Sequence, residues 1–144
     1  MDKVLLSSKN MNWCALDDLF QELDNEFHFK LDAAANSWNA KCNRFFTPAM
    51  DALKQCWDVG GAVFCNPPYG RTLGKWVKKA YSESKRMDDP IVMLIPARTD
   101  TSYFHDYILR SAEIRFLRGR LHFTDENGED RGRAPFPSMV VVWR

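Results

Sequence analysis

The strongest constraint on this chain is its alternation of short apolar runs with segments of helical period. Ala62-Val63-Phe64-Cys65 follows Gly60-Gly61, and Ile91-Val92-Met93-Leu94-Ile95 is closed by Pro96. Runs of that length beside chain breakers read as buried strands. Between them, Leu73, Trp76, Val77, Ala80, Tyr81 and Ser84 share one helical face, with Lys75, Lys78, Lys79 and Lys85 largely off it. Nearer the start, Leu16, Leu19, Phe20, Leu23 and Phe27 fall at helical spacing, and Asp17 and Asp18 favour the positive end of that helix. The alternating residues 27–31 then read as a strand, with His28 as a strand histidine and Asp32 at its end. Residues 44–47 read as a short strand and residues 51–57 as two helical turns. Further on, residues 102–111 have helical spacing, and residues 113–117, 121–123 and 138–143 read as strands. This order predicts one domain over residues 1–144. It is a three-layer α/β/α sandwich with a mostly parallel sheet and an antiparallel C-terminal hairpin. Trp57 and Trp76 read as packing residues.

Composition narrows the class. With 45% hydrophobic and 27% charged residues in 144, the chain has enough apolar surface for a core without cross-links. No apolar run reaches the roughly 20 residues of a membrane span. The first eight residues are too short and weakly charged for a signal peptide, so a cytoplasmic location is expected. Cys14, Cys42, Cys56 and Cys65 form no C-x-x-C pair, and His28, His105 and His122 lie far from them in sequence, so no metal is expected and the thiols are reduced. Charge is uneven. Residues 1–70 carry 6 Lys+Arg against 9 Asp+Glu, and residues 71–144 carry 14 against 10. A basic half is suited to phosphate backbones, although Asp125-Glu126 and Glu129-Asp130 interrupt it.

One tetrapeptide carries chemistry. Asn66-Pro67-Pro68-Tyr69 directly follows the Ala62–Cys65 strand and precedes a helix. Consecutive prolines stiffen the backbone, supply no N–H and hold the residue before them extended. An amide side chain and a bare carbonyl then point in fixed directions, with an aromatic ring two residues on. That set suits a planar –NH2 group and the ring that carries it, and an exocyclic nucleobase amine is such a group. Asn66 oxygen and the Pro67 carbonyl could accept both N–H bonds of the amine, and Tyr69 could stack on the base at roughly 1–3 kcal/mol. Ligands of parallel α/β sheets bind beyond the carboxyl ends of the strands, so Asp32 and Asn66 are expected to share one crevice. As a plain alternative, Asn, Pro and Gly are also ordinary turn residues.

The motif resembles that of amino-methyltransferases that use S-adenosylmethionine. The ordered set Phe29–Ala35, Asn39–Cys42, Asp51–Leu53, Trp76-Val77, Leu94–Arg98, Arg118–Phe123 and Pro135–Ser138 resembles phage-type DNA adenine methyltransferases, the phage Dam family, from about Trp13 to Trp143. The resemblance implies a Rossmann-like fold, S-adenosylmethionine as cofactor, and double-stranded DNA as partner, in a bacterial host's cytoplasm. It implies Asn66, Pro67, Pro68 and Tyr69 as the catalytic set. Asp32, Ala33, Ala34, Asp51 and Trp13 would hold the cofactor, with Asp51 near its adenine. Arg118, Arg120 and Phe123 would contact DNA. Two departures stand out: Ala15-Leu16 replaces the family's Thr-Pro, and the loop after Asp32 reads Ala-Ala-Ala-Asn without the glycines of the usual nucleotide fingerprint, the latter being typical of this family. The same motif also occurs in enzymes that methylate RNA or a protein glutamine amide, and a non-catalytic relic is the remaining alternative. So small a domain leaves no separate target-recognition domain. Residues 118–134, or a second copy in a homodimer, would have to supply recognition.

Overall fold

The computed structural model describes residues 15–124, 127 and 129–144. Helix α1 (Leu16–Phe27) buries Leu19, Phe20 and Leu23. Its N-cap, Ala15, has no hydroxyl to cap the first turn, but its N–H donates to the Asp18 carboxylate at 3.4 Å. The helix stops at His28, which takes a left-handed conformation at φ 56. His28 is therefore a helix terminus and not a strand residue. The alternating pattern around it hid a reversal of direction, sealed where Phe29 N–H donates to the Asp24 side chain at 2.8 Å.

Strand β1 (Phe29–Asp32) pairs in parallel with β2 (Ala62–Cys65), and β2 pairs in parallel with β3 (Ile91–Pro96). Helix α2 (Leu73–Ser84) joins β2 to β3. The expected strand at residues 44–47 is reduced to one parallel bridge, Asp32 to Phe45, and the expected helical turns at 51–57 are two 3-10 turns, Pro48–Met50 and Ala52–Lys54. Asp51 sits between those turns at φ 54 and prevents a continuous helix. The helix expected over 102–111 is mostly one wide π turn, Phe104–Ile108.

The remaining strands are β4 (Glu113–Phe116), β5 (His122–Thr124), β6 (Asp130–Arg133) and β7 (Ser138–Trp143). The main sheet is five-stranded, in order β1-β2-β3-β7-β4, and β7 runs antiparallel to both neighbours. The expected antiparallel strand thus lies inside the sheet. The hairpin itself, β5–β6, forms a separate two-stranded sheet.

Alternate strand residues face opposite cores. Val63, Cys65, Ile91, Met93, Ile95 and Val141 pack with Leu73, Val77 and Ala80 of α2. Phe64, Val92, Leu94, Val140 and Val142 pack with Leu19, Phe20 and Leu23 of α1. The class is mixed α/β, and strands that are apolar on both faces are covered on both faces. The carboxyl ends of the parallel strands β1, β2 and β3 consequently emerge at one edge of the sheet. Among the described residues no helix is long and apolar enough to cross a membrane.

Candidate active site

At that edge the chain turns from β2 into Asn66. Pro67 is buried, Pro68 is exposed, and Asn66 and Tyr69 are half-buried. The Tyr69 hydroxyl donates to Asn66 Oδ1 at 2.7 Å and lies 3.5 Å from the Leu94 carbonyl. Burial pushes the Tyr69 phenol well above its ordinary range, with the neighbouring Cys65 adding to the shift, so it stays protonated and a donor. The Tyr69 ring meets Phe136 edge-on, with centroids 5.4 Å apart at 81°. The aromatic of the motif is therefore anchored at its hydroxyl and along its ring.

Asp32 ends the neighbouring strand and is only 2% exposed. Its carboxylate accepts N–H bonds from Lys41 at 2.9 Å and from Ala34 at 3.3 Å, which pins both ends of the intervening loop. Burial pushes the Asp32 carboxyl up to about 6, and those two N–H groups and the Lys41 charge oppose the shift only in part. Ala33 is buried, and its N–H bonds the Phe64 carbonyl at 2.9 Å. Lys41 in turn pairs with Asp17 at the start of α1.

Two crevices meet at Asn66. The smaller, about 100 Å³, is lined by Asp32, Ala34, Trp38, Asn39, Asn66 and His122. The larger, about 390 Å³, is lined by Ala34, Phe46, Asp51, Asn66, Pro68 and Trp76, among others. Ala34, Asn39 and Asn66 border both, so the two spaces adjoin as one channel with Asn66 in the wall they share. Asp51 is half-exposed, and its charge partner, Lys54, is 3.9 Å away. Asp51 lines the larger crevice. The smaller crevice mixes Asp17, Asp32 and Lys41 with Leu16, Trp38 and Phe64, whereas the larger is more apolar, with Phe46 and Trp76 as flat walls.

A family model described as DNA N-6-adenine-methyltransferase (Dam) matches residues 3–144. The chain belongs to this family. It is also 30% identical over 123 residues to a DNA N-6-adenine-methyltransferase of Escherichia phage T1, an alignment covering 85% of this chain. The chain spans about half the length of that relative, 50%.

In this Dam-family chain the expected residues fall into separate groups. Asp32, Ala34, Asp51, Asn66 and Pro68 line the channel, while Ala33 and Pro67 are buried behind it. Tyr69 stands behind Asn66, held by Phe136. Phe123 packs against the core under α1, and its neighbour His122 faces the channel instead. Arg118 is exposed, and Arg120 donates to the Ala134 carbonyl at 3.3 Å, bracing the base of the β5–β6 hairpin. Trp13 lies outside the described residues. Ala15 and Leu16, the pair that departs from the family pattern, line the smaller crevice, and Ala15 forms a bridge with His122. Sequence reasoning missed Trp38, His122, Phe46 and Phe136. It read Trp76 as packing alone, although that side chain both packs on Trp57 and lines the channel. No period or local motif marks these residues, because long-range contacts bring them to the site. Among the described residues there is no group of three His, Cys, Asp or Glu that could hold a metal. Cys42, Cys56 and Cys65 are free thiols.

Proposed function

We propose that this chain is the catalytic unit of an S-adenosylmethionine-dependent DNA methyltransferase that modifies the exocyclic N6 amine of an adenine extruded from duplex DNA. One observation carries the reading. Asn66 stands in the wall shared by two adjoining crevices, one lined by Asp32 and the other by Asp51. A cofactor with an amino-acid end and a nucleoside end has both kinds of wall available. Family membership and the phage T1 relative support the reaction class. Helices on both faces of the sheet support a three-layer, Rossmann-like arrangement.

The residues present fit the cofactor. Asp32 would take its ammonium end. Asp51 would accept hydrogen bonds from its adenosine end, with Phe46 and Trp76 against the purine. Bound there, the cofactor supplies an electrophilic methyl group. The chain's own contribution is positional. Asn66 Oδ1 and the Pro67 carbonyl accept the two N–H bonds of adenine N6 and direct its lone pair outward. An amide oxygen accepts two hydrogen bonds, so the Tyr69 hydroxyl holds Asn66 Oδ1 by one lone pair and leaves the other for the amine. Extruding an adenine from duplex DNA costs a few kcal/mol. The β5–β6 hairpin, which carries His122, or a second copy of the chain, would contribute to sequence recognition.

The test is incubation of the purified chain with labelled cofactor and plasmid DNA, followed by mapping of modified adenines. Label on adenine N6 supports the reading. Label on RNA or protein in preference to DNA moves the activity to another substrate. DNA binding with no calorimetric cofactor binding favours a non-catalytic relic, a reading that Ala15 and Leu16 in the channel wall keep specific.

A further inference from the structure

We propose that Arg98 grips a DNA phosphate next to the extruded adenine, and that Phe136 is the platform that sets its guanidinium. The proposal rests on the DNA-methyltransferase reading above and deepens it by assigning the substrate contact to residues outside the motif.

Arg98 follows β3 by two residues, at the same sheet edge as Asn66 and Asp32. The loop that carries it is fixed on both sides. Ala97 N–H donates to the Pro137 carbonyl at 2.9 Å, and the Thr101 hydroxyl donates to the Arg98 carbonyl at 2.9 Å. Thr101 also accepts the Phe104 N–H at 3.3 Å, and the His105 ring lies 2.8 Å from the Thr99 carbonyl. The backbone position from which the Arg98 side chain leaves is thereby set.

The Arg98 guanidinium lies over the Phe136 ring, 5.8 Å from its centroid. The edge of Phe136 meets Tyr69, and the Tyr69 hydroxyl holds Asn66. Guanidinium, two rings and the amide thus form one unbroken line. Stacking uses the face of a guanidinium and leaves its in-plane N–H groups free. Arg98 is exposed, and among the described residues no carboxylate pairs with it. Arg86, Arg115 and Arg144 differ, each being tied to a glutamate. A fork of donors set over an aromatic ring, with no carboxylate partner among the described residues and beside the proposed base-binding residues, matches the bidentate geometry of a phosphate. The two arginines picked out by sequence are less suited. Among the described residues no ring sets the direction of Arg118, and Arg120 already donates to Ala134.

The experiment compares wild type, R98Q, R98K and F136L by fluorescence anisotropy on a duplex that wild type methylates, across a salt series. R98Q is expected to weaken duplex binding about tenfold and to reduce the slope of log affinity against log salt by about one, the signature of one lost phosphate contact. R98K should keep the slope while losing several-fold in affinity, because the charge remains without the planar fork. F136L should lose several-fold with the slope kept. Melting temperature and cofactor-binding heat for R98Q at wild-type values exclude a folding defect. Wild-type affinity and slope in R98Q would overturn the proposal, and R98K or F136L equal to wild type would overturn the stacked geometry. A wild-type chain that methylates no DNA removes the functional reading itself. A wild type that does, beside an unaffected R98Q, removes only this inference.

Discussion

The wall of the channel divides, by the elements that build it, into two halves held by different physics. The Asn66 half is fixed covalently and by sheet pairing: two prolines follow a fully buried strand, and Pro67 is buried. The Asp32–Asp51 half is made of turns, two 3-10 elements and a left-handed Asp51, and much of its shape depends on one buried carboxylate that accepts the Ala34 and Lys41 N–H groups. One side is stiff by backbone chemistry, and the other is ordered by a group that titrates. Substitutions in the first half should therefore damage the reaction and spare the fold, and substitutions in the second should damage both.

The largest expected effect is in the stiff half. Asn66→Ala removes an acceptor for the amine and should lower single-turnover methyl transfer by about a thousandfold, the scale of a lost oxyanion-type contact. Its melting temperature should stay within a few degrees of wild type. A large loss of stability instead would show that the two halves are not mechanically separate.

Asp32→Ala comes next. It leaves the Ala34 and Lys41 N–H groups without their acceptor, at about 1–3 kcal/mol for each that stays buried. Cofactor affinity should fall about a hundredfold, and stability should fall with it. Calorimetry and thermal melts read both quantities, and a loss of only one would separate ligand contact from loop anchoring.

A pH series sharpens the contrast further. The Asp32 carboxyl titrates at about 6 in the fold against 3.8 when unperturbed. A raised folded value means that its stabilising contribution is complete below about pH 4 and is lost as pH rises through about 6. Binding a cationic group needs the ionised form, so cofactor affinity should run the other way, falling up to tenfold per unit below about pH 6. Lys41 and Asp17, which pair with each other, line the same crevice as that carboxylate. Asp32→Asn should flatten both profiles. The smallest expected effect is Tyr69→Phe, which keeps the ring against Phe136 and loses one hydrogen bond to Asn66, for a fall of about fivefold in kcat.

The same contrast explains what could be read from sequence. The strands β2 and β3 and the helix α2 follow from period and chain breakers, and the Asn66 motif sits where a strand ends, so the stiff half was legible. Asp32 was also found, by its place at a strand end. The turns around Asp51 were not, because a left-handed non-glycine residue has no local signature. Nor was the reversal at His28, whose neighbours alternate as a strand would. Phe136 and His122 reach the site through β7 and β5, and no local pattern gives the order in which strands enter a sheet.

That order has a kinetic consequence. β4 precedes β7 in the chain, yet its seat in the sheet is β7 alone. Until β7 has paired along β3 over six residue pairs, β4 has no edge to join. Arg115 then has no fixed position from which to reach Glu26 at the end of α1. The sheet must therefore be assembled out of chain order, with its last strand acting as a wedge. Closing so long a loop before any pairing compensates for it slows folding. A nascent chain that has emerged only through β4 carries an unmatched β3 edge, open to pairing with another chain, and a holdase that masks strand edges during synthesis should raise the yield of folded protein.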